Sequence, residues 1–294
     1  MSQAAARTAP SVYWLQGFSK VASAVPEVDD RDEVHAWYTS ILRPHVPAGA
    51  SSILDIGCGR GRVLRALMEL APHSRCIGVD GDADSLARAA DEFGLLPRQP
   101  VLRKADITEP GYALGLTDLD GPFDVITSFF VLHHYKPEVA GAILRELGTL
   151  LAPGGVIILA ESHDPSLVDA SMAEHICAEL ACLAGEPPDL LWTAEETRAA
   201  CRAAGFDDSR TSFEAAPGRP FNAAETALNA RLLSNLEDAV TRAGAARQAT
   251  PQLRKLSAVV AKMVEHKVAN PARYGPLLAL LRVTKFCQEW KPCR

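Results

Sequence analysis

Apolar residues fall in short blocks along the first two thirds of the chain, and the blocks alternate between strand-like runs and helical spacing. Ile53-Leu54-Asp55-Ile56 reads as a short buried strand. Gly57-Cys58-Gly59-Arg60-Gly61 follows as a turn, and a helix begins near Arg62. Cys76-Ile77-Gly78-Val79-Asp80 reads as a second strand ending in an acid, and Val101 to Ile107 as a third ending in Asp106-Ile107. Phe123 to Val131 is a fourth apolar run, and Leu150 to Leu159, entered through Pro153-Gly154-Gly155, a fifth. Helical spacing fills the gaps at Arg62–Leu70, Ala83–Phe93 and Glu138–Leu151. Gly94 is placed to stop the second of these helices, and Val139, Ile143, Leu144, Leu147 and Leu151 form a buried stripe on the third.

The pattern changes after the fifth run. Pro165–Leu183 reads as an inserted helix, and Thr193 with Glu196 offers a capping box for a helix that Gly205 stops. Phe206–Ala215 fits a sixth strand. Two amphipathic helices follow, one carrying Leu228, Leu232, Leu233, Leu236 and Val240, the other opening at Thr250-Pro251 with Leu253, Leu256, Val260, Met263 and Val264. Leu277–Phe286 is the candidate for a last strand. Strand–helix alternation predicts an α/β fold, a parallel sheet with helices on both faces. The expected divisions are an aromatic-rich helical lid over 1–48, a core over 49–217, a helical insert over 218–272 and a last strand with tail over 273–294.

Charge and composition narrow the partners. Thirty Lys and Arg against 36 Asp and Glu give a formal charge of −6, with no basic stripe, which disfavours a nucleic-acid partner. Seven scattered cysteines form no C-x-x-C pair, so reduced thiols and no metal site are expected. Residues 1–10 lack the apolar segment of a signal peptide, and no run of 18 apolar residues exists. A cytoplasmic protein without a membrane partner is expected. The apolar faces of the helical insert predict packing on the core or a homodimer.

The chemistry concentrates at the first strand's end. Glycines there let backbone approach a ligand closely, and the new helix presents free N–H groups. The spacing is G-x-G-x-G. The dinucleotide fingerprint G-x-G-x-x-G would need a glycine where Arg62 stands. Asp55 precedes the first glycine by two residues. With Asp80 placed 23 residues beyond Gly57, Asp106-Ile107, the run Phe123 to His134 and the Leu-x-Pro-Gly-Gly turn, this order resembles class I S-adenosylmethionine (SAM)-dependent methyltransferases over roughly residues 35 to 215. The resemblance implies a Rossmann-like doubly wound seven-stranded, mostly parallel sheet with an antiparallel last strand and helical caps. It implies SAM as cofactor and S-adenosylhomocysteine (SAH) as product. Asp55, Gly57, Gly59, Gly61, Asp80, Gly81, Asp106, Ile107, Ser128, Phe129 and Tyr38 are its expected contacts. Asp80 would accept from the ribose hydroxyls and Asp106 from the adenine amino group, and a side chain at Gly57 would occupy cofactor space.

Methyl transfer requires a nucleophile held in line and, for a protonated acceptor, removal of a proton. His133 and His134 after the fourth strand, and Glu161 and His163 after the fifth, are the candidates for this work. Phe129 and Phe130 are expected to alternate on the strand, one bordering the ligand and the other in the core. Base-amino methylases carry an Asn/Asp-Pro-Pro-aromatic run where this chain has Ser128-Phe129-Phe130-Val131, which favours a small-molecule or peptide-like acceptor. A non-catalytic scaffold, a SAM enzyme with non-methylating chemistry and a nicotinamide dehydrogenase are the alternatives. The intact acids and the glycine spacing argue against the first and the last.

Overall fold

The computed structural model describes residues 31–109, 111, 121–132, 135–161, 194–218 and 277–282. The expected lid up to residue 30, the inserted helix at 165–183, Thr193, the two amphipathic helices, His133, His134 and His163 lie outside these residues.

Helix α1 (Arg31–Leu42) precedes β1 (Ser52–Ile56), α2 (Arg62–Leu70), β2 (Arg75–Asp80), α3 (Ala83–Phe93) and β3 (Val101–Lys104). Then come β4 (Phe123–Phe129), α4 (Pro137–Thr149), β5 (Leu151–Glu161), α5 (Ala194–Ala203), β6 (Thr211–Ala215) and β7 (Leu277–Arg282). The seven strands form one sheet in the order β3-β2-β1-β4-β5-β7-β6. Neighbours from β3 through β5 pair in parallel, and β7 runs antiparallel to both β5 and β6. The architecture is the expected Rossmann-like one. After β1 the chain builds outward through β2 and β3, then returns to lay β4 on the other side of β1. Between the carboxyl ends of β1 and β4 lies the topological switch point, where open α/β sheets bind their ligands.

Burial explains the strands. Ile53, Leu54 and Ile56 of β1, Ile77 and Val79 of β2, and Val125 and Ile126 of β4 are all fully buried, as a sheet covered on both faces requires. Helix α2 turns Val63, Leu64, Ala66, Leu67 and Met68 inward, and α1 packs against it, with Ile41 and Leu42 joining the same core cluster. The Trp37 indole donates to the Pro217 carbonyl at 2.9 Å and ties α1 to the segment after β6.

Several boundaries differ from the sequence reading. The third strand stops at Lys104: the Ala105 N–H makes the last bond of the parallel ladder, to the Asp80 carbonyl, and Asp106 then opens a turn by accepting from Thr108 and Glu109. The sixth strand begins at Thr211, not Phe206. Gly94 does cap α3, but in right-handed conformation (φ −56°) rather than the left-handed form in which glycine excels. The Pro-Gly-Gly turn is absorbed into β5 as an irregularity. Phe123 pairs with Leu151 and Val125 with Val156, and Gly154 takes φ 80°.

Candidate functional site

The glycine loop is held from two sides. Toward β2, the Gly57 and Cys58 N–H groups both donate to the Val79 carbonyl, at 2.8 and 3.0 Å. The Gly59 N–H donates to Asp80 Oδ2 at 2.8 Å. Toward β4, the Val131 side chain lies directly over Gly57, where a Cβ would collide with Val131 Cγ2. Gly57 and Gly59 adopt φ 67° and 51°. Open space lies over Gly59, with nothing within 4 Å of a Cβ built there. The expectation that a side chain at Gly57 would fill cofactor space is therefore corrected. Gly57 faces Val131, Gly61 faces the Phe93 ring, and Gly59 alone of the three faces open space.

Three acids point at this edge. Asp80 ends β2, and its two oxygens accept from the Gly59 and Asp82 N–H groups, each at 2.8 Å. A carboxylate oxygen has room for a further donor, so Asp80 is oriented without being used up. Asp106 is exposed, and its Oδ1 accepts from Thr108 N and Oγ1 at 2.9 and 2.6 Å. Ile107 beside it is buried. Gly81 adopts no left-handed conformation, and a Cβ there would make only ordinary contact.

Asp55 is the third acid and the most costly. It lies under the loop, 1 % exposed, and faces Thr127 across the β1–β4 pair. The Thr127 hydroxyl donates to Oδ1 at 2.6 Å. Oδ2 is buried with no hydrogen-bond partner. Burial raises the Asp55 pKa to about 7. Thr127 opposes that shift and the nearby Asp80 adds to it. Ser128 is also fully buried with an unpartnered hydroxyl, and it points to the sheet face opposite Asp55, since it is the next residue after Thr127.

Beyond β4 the chain departs from the sequence expectation. Phe129 is the last strand residue and is buried, whereas Phe130 leaves the strand at φ 58°. The two phenylalanines therefore do not alternate on one strand. Their rings meet edge-on with centroids 6.3 Å apart, and Tyr38 from α1 meets Phe129 edge-on at 6.0 Å. Glu161, at the end of β5, is 1 % exposed, and its Oε1 accepts from the Val131 and Leu132 N–H groups at 3.3 and 2.9 Å.

Sequence reasoning did not assign Tyr135, Asp82 or Val131. Burial pushes the Tyr135 phenol up to about 12, and the charges of Asp106 and Asp80 add to the shift. Asp82 caps α3 by accepting from Ser85 N at 3.0 Å. An acid one residue before a helical run was a legible signal for that cap. Val131 carried no signal, because its contact with Gly57 is made only by the fold. Cys58 lies inside the loop, but burial and the charges of Asp55 and Asp80 raise its pKa well above the usual thiol range, so it is no nucleophile.

These features fit a cofactor carrying a cationic amino-acid tail and a ribose. An unpartnered buried carboxyl oxygen lies under the loop, open space lies over Gly59, and an oriented acid stands at the β2 tip. Residues 54–157 match a methyltransferase domain family. An uncharacterized methyltransferase of Mycobacterium tuberculosis is 30% identical over 148 residues, which are 49% of this chain and 66% of that protein. The chain thus spans just under two thirds of the length of the mycobacterial relatives. A ribosomal RNA small subunit methyltransferase C of Shewanella loihica is 30% identical over 131 residues, 43% of this chain and 36% of that protein. Among solved structures, the plantazolicin methyltransferase BpumL, in complex with a pentazolic desmethylPZN analog and SAH, superposes with a TM-score of 0.52 at 16% identity. The superposition covers 92% of this chain and 93% of BpumL. That likeness is one of fold. Motifs, topology and sequence relatives agree that residues 54–157 form a methyltransferase domain, set in a fold of the class I SAM-dependent type.

Proposed function

We propose that the protein transfers a methyl group from SAM to an oxygen, nitrogen or electron-rich carbon of a small-molecule or peptide-like acceptor. The unpartnered Asp55 oxygen beneath the glycine loop carries this reading. Folding gains nothing from an acid buried there, whereas a ligand bearing an ammonium or sulfonium charge would offset its burial. In this reading Asp55 faces the cationic tail, the backbone of Gly57 to Gly61 passes along it, and Asp80 receives the ribose hydroxyls. Asp106, Ile107 and Tyr135 surround the base, while Tyr38 and Phe129 border the methyl end. When bound, the cofactor supplies an electrophilic methyl on a sulfonium that leaves as a neutral thioether, so no acid is required of the protein. The protein orients the partners and excludes water.

The acceptor class rests on narrower support. Ser128-Phe129-Phe130-Val131 lacks the Asn/Asp-Pro-Pro-aromatic run of base-amino methylases, and the chain is acidic. The match to the ribosomal RNA enzyme covers little more than a third of that protein, so it argues for the shared cofactor domain rather than a shared acceptor. BpumL shares the fold and is bound to a pentazolic desmethylPZN analog, so azole compounds belong in the panel of acceptors to be tested. His133, His134 and His163 are the proposed proton-removing groups at the rim. A homodimer through the helical insert is proposed from its apolar faces, and light scattering tests it. Among the described residues no helix is long and apolar enough to cross a membrane. Calorimetry with SAM and SAH tests the cofactor. Release of SAH on incubation with a panel of azole peptides, phenols and amines tests the transfer. Tight SAM binding without turnover on any class would favour the scaffold alternative.

A further inference from the structure

Glu161 was a candidate for proton removal on its position alone. Its surroundings give it a different task. The chain leaving β4 makes a tight turn in which Phe130 stands at φ 58°, a backbone conformation that non-glycine residues keep only where their surroundings impose it. The three successive N–H groups of this turn are all received by the end of β5. Phe130 donates to the Ala160 carbonyl at 2.8 Å, and Val131 and Leu132 donate to Glu161 Oε1 at 3.3 and 2.9 Å. Val131, Leu132 and Glu161 are all buried, so the two N–H groups would have no water to turn to. Once fixed, the turn lays the Val131 side chain over Gly57, while Val79 and Asp80 hold the loop from the other side.

We infer that Glu161 is a positioning residue of the cofactor loop, acting through the backbone of residues 131 and 132 to seat Val131 on Gly57. This rests on the reading of the glycine loop as the SAM site. Its Oε1 accepts from two backbone donors inside the core. A group engaged in that way sets the height of the loop; it does not collect a proton from an acceptor at the rim.

The test is SAH affinity by calorimetry on the full-length chain, with unfolding midpoints recorded alongside. Glu161→Ala strands two buried N–H groups and is expected to weaken SAH binding by about tenfold or more. Glu161→Gln keeps an oxygen that can accept from both donors and is expected to return affinity to within about threefold of the wild type. Val131→Ala is expected to weaken binding several-fold, and its loss should be largely contained in that of Glu161→Ala when the two are combined, since both act through one contact. The inference is overturned if folded Glu161→Ala binds SAH like the wild type, or if the two losses multiply independently. It is also overturned if Glu161→Gln is as weak as Glu161→Ala. Should Glu161→Ala not fold, near-normal affinity in Glu161→Gln together with weakened Val131→Ala supports the inference, and unaltered Val131→Ala overturns it. If the wild type itself binds neither SAM nor SAH, the methyltransferase reading fails and this inference goes with it. If the wild type binds and the variants all match it, only the positioning role fails.

Discussion

The β1–β4 pair carries an acid at each end, and the two are treated in opposite ways. At the amino edge Asp124 accepts from the Ser51 N–H at 2.7 Å, the Ser51 hydroxyl at 2.8 Å and the Ser52 N–H at 3.1 Å. Partial burial pushes its pKa up, but these donors outweigh burial and leave it below the ordinary value. At the carboxyl edge Asp55 has one hydroxyl donor, an unpartnered oxygen and a pKa raised to about 7 by burial. The strands are the same and so is the carboxyl chemistry. The amino edge is finished by the fold, whereas the carboxyl edge keeps a buried carboxyl oxygen without a donor, at a cost that protonation or a bound cation would relieve. Local rules broken without a compensating internal contact mark a functional edge.

The sharpest way to break this comparison is to substitute within the glycine loop. Gly57→Val must both hold φ near 67° and displace Val131, so it is expected to cost about 3 kcal/mol or more of stability and to abolish SAM binding. Gly59→Ala meets nothing, so it should cost only the left-handed strain of about 1–2 kcal/mol while still losing SAM. Gly154→Ala, at φ 80° with open space near the amino end of β5, carries the same strain as a control and should leave SAM affinity intact. Unfolding midpoints and calorimetry on the three variants separate fold from ligand. If Gly59→Ala binds SAM normally, the open space over the loop is not the cofactor's.

Asp80→Ala comes next. It removes the proposed ribose acceptor and releases the Gly59 and Asp82 N–H groups. A charge-assisted hydrogen bond contributes about 1.5–3 kcal/mol, so SAM affinity should drop by about one to two orders of magnitude. Unchanged affinity would move the ribose elsewhere.

The two edges were not equally legible in the sequence. Helices Arg62–Leu70 and Ala83–Phe93 match the sequence reading residue for residue, because local chemistry marks their ends: a glycine loop before one, Asp82 and Gly94 around the other. Asp55, the glycines and Asp80 stand next to one another in sequence or at strand ends, so their grouping follows from topology. What was hidden is held by long-range contacts. Glu161 reaches residues some thirty positions earlier, and Val131 covers a glycine more than seventy positions away. No periodicity records such contacts. Phe130 also looked like a strand residue, since aromatics favour strands, until the turn into the Glu161 cradle overrode that preference.

Asp55→Asn sharpens the comparison through signs rather than size. Its folded pKa lies above the unfolded value near 4, so the folded state holds the proton more tightly. That contribution is fully present below about pH 4 and is lost as pH rises through about 7. Without ligand, the wild type should lose up to a few kcal/mol, to order of magnitude, over that window. Asn keeps the Thr127 contact and abolishes the slope, so it should be the more stable protein at pH 8 and not at pH 4. With SAM the order reverses, because the ionised acid meets a cation: wild-type affinity should rise between pH 6 and 8, and the variant's should be weaker and flat. Thermal unfolding with and without SAM at those pH values reads both signs. A variant that is less stable than the wild type at pH 8 without ligand would show that Asp55 serves the fold after all.

Asp124→Asn should give the smallest effect and the opposite pattern. Its folded pKa is below the unfolded value, so its contribution is present above the unfolded pKa and is lost as pH falls through the folded one. Asn retains one acceptor oxygen for the Ser51 and Ser52 donors but loses the charge that strengthens those bonds. The site is half-buried and open to solvent, which screens part of the loss, and a cost of roughly 1 kcal/mol or less at pH 7 is expected, shrinking as pH falls below the unfolded value near 4. SAM affinity should not change, because the residue sits at the far end of the strands from the glycine loop. Chemical denaturation at pH 7 and pH 3, paired with one SAM titration, is enough to check it. If Asp124→Asn weakened SAM as Asp55→Asn is expected to, the β1–β4 pair would be transmitting strain along its length, and the division of the sheet into a finished edge and a ligand edge would not hold.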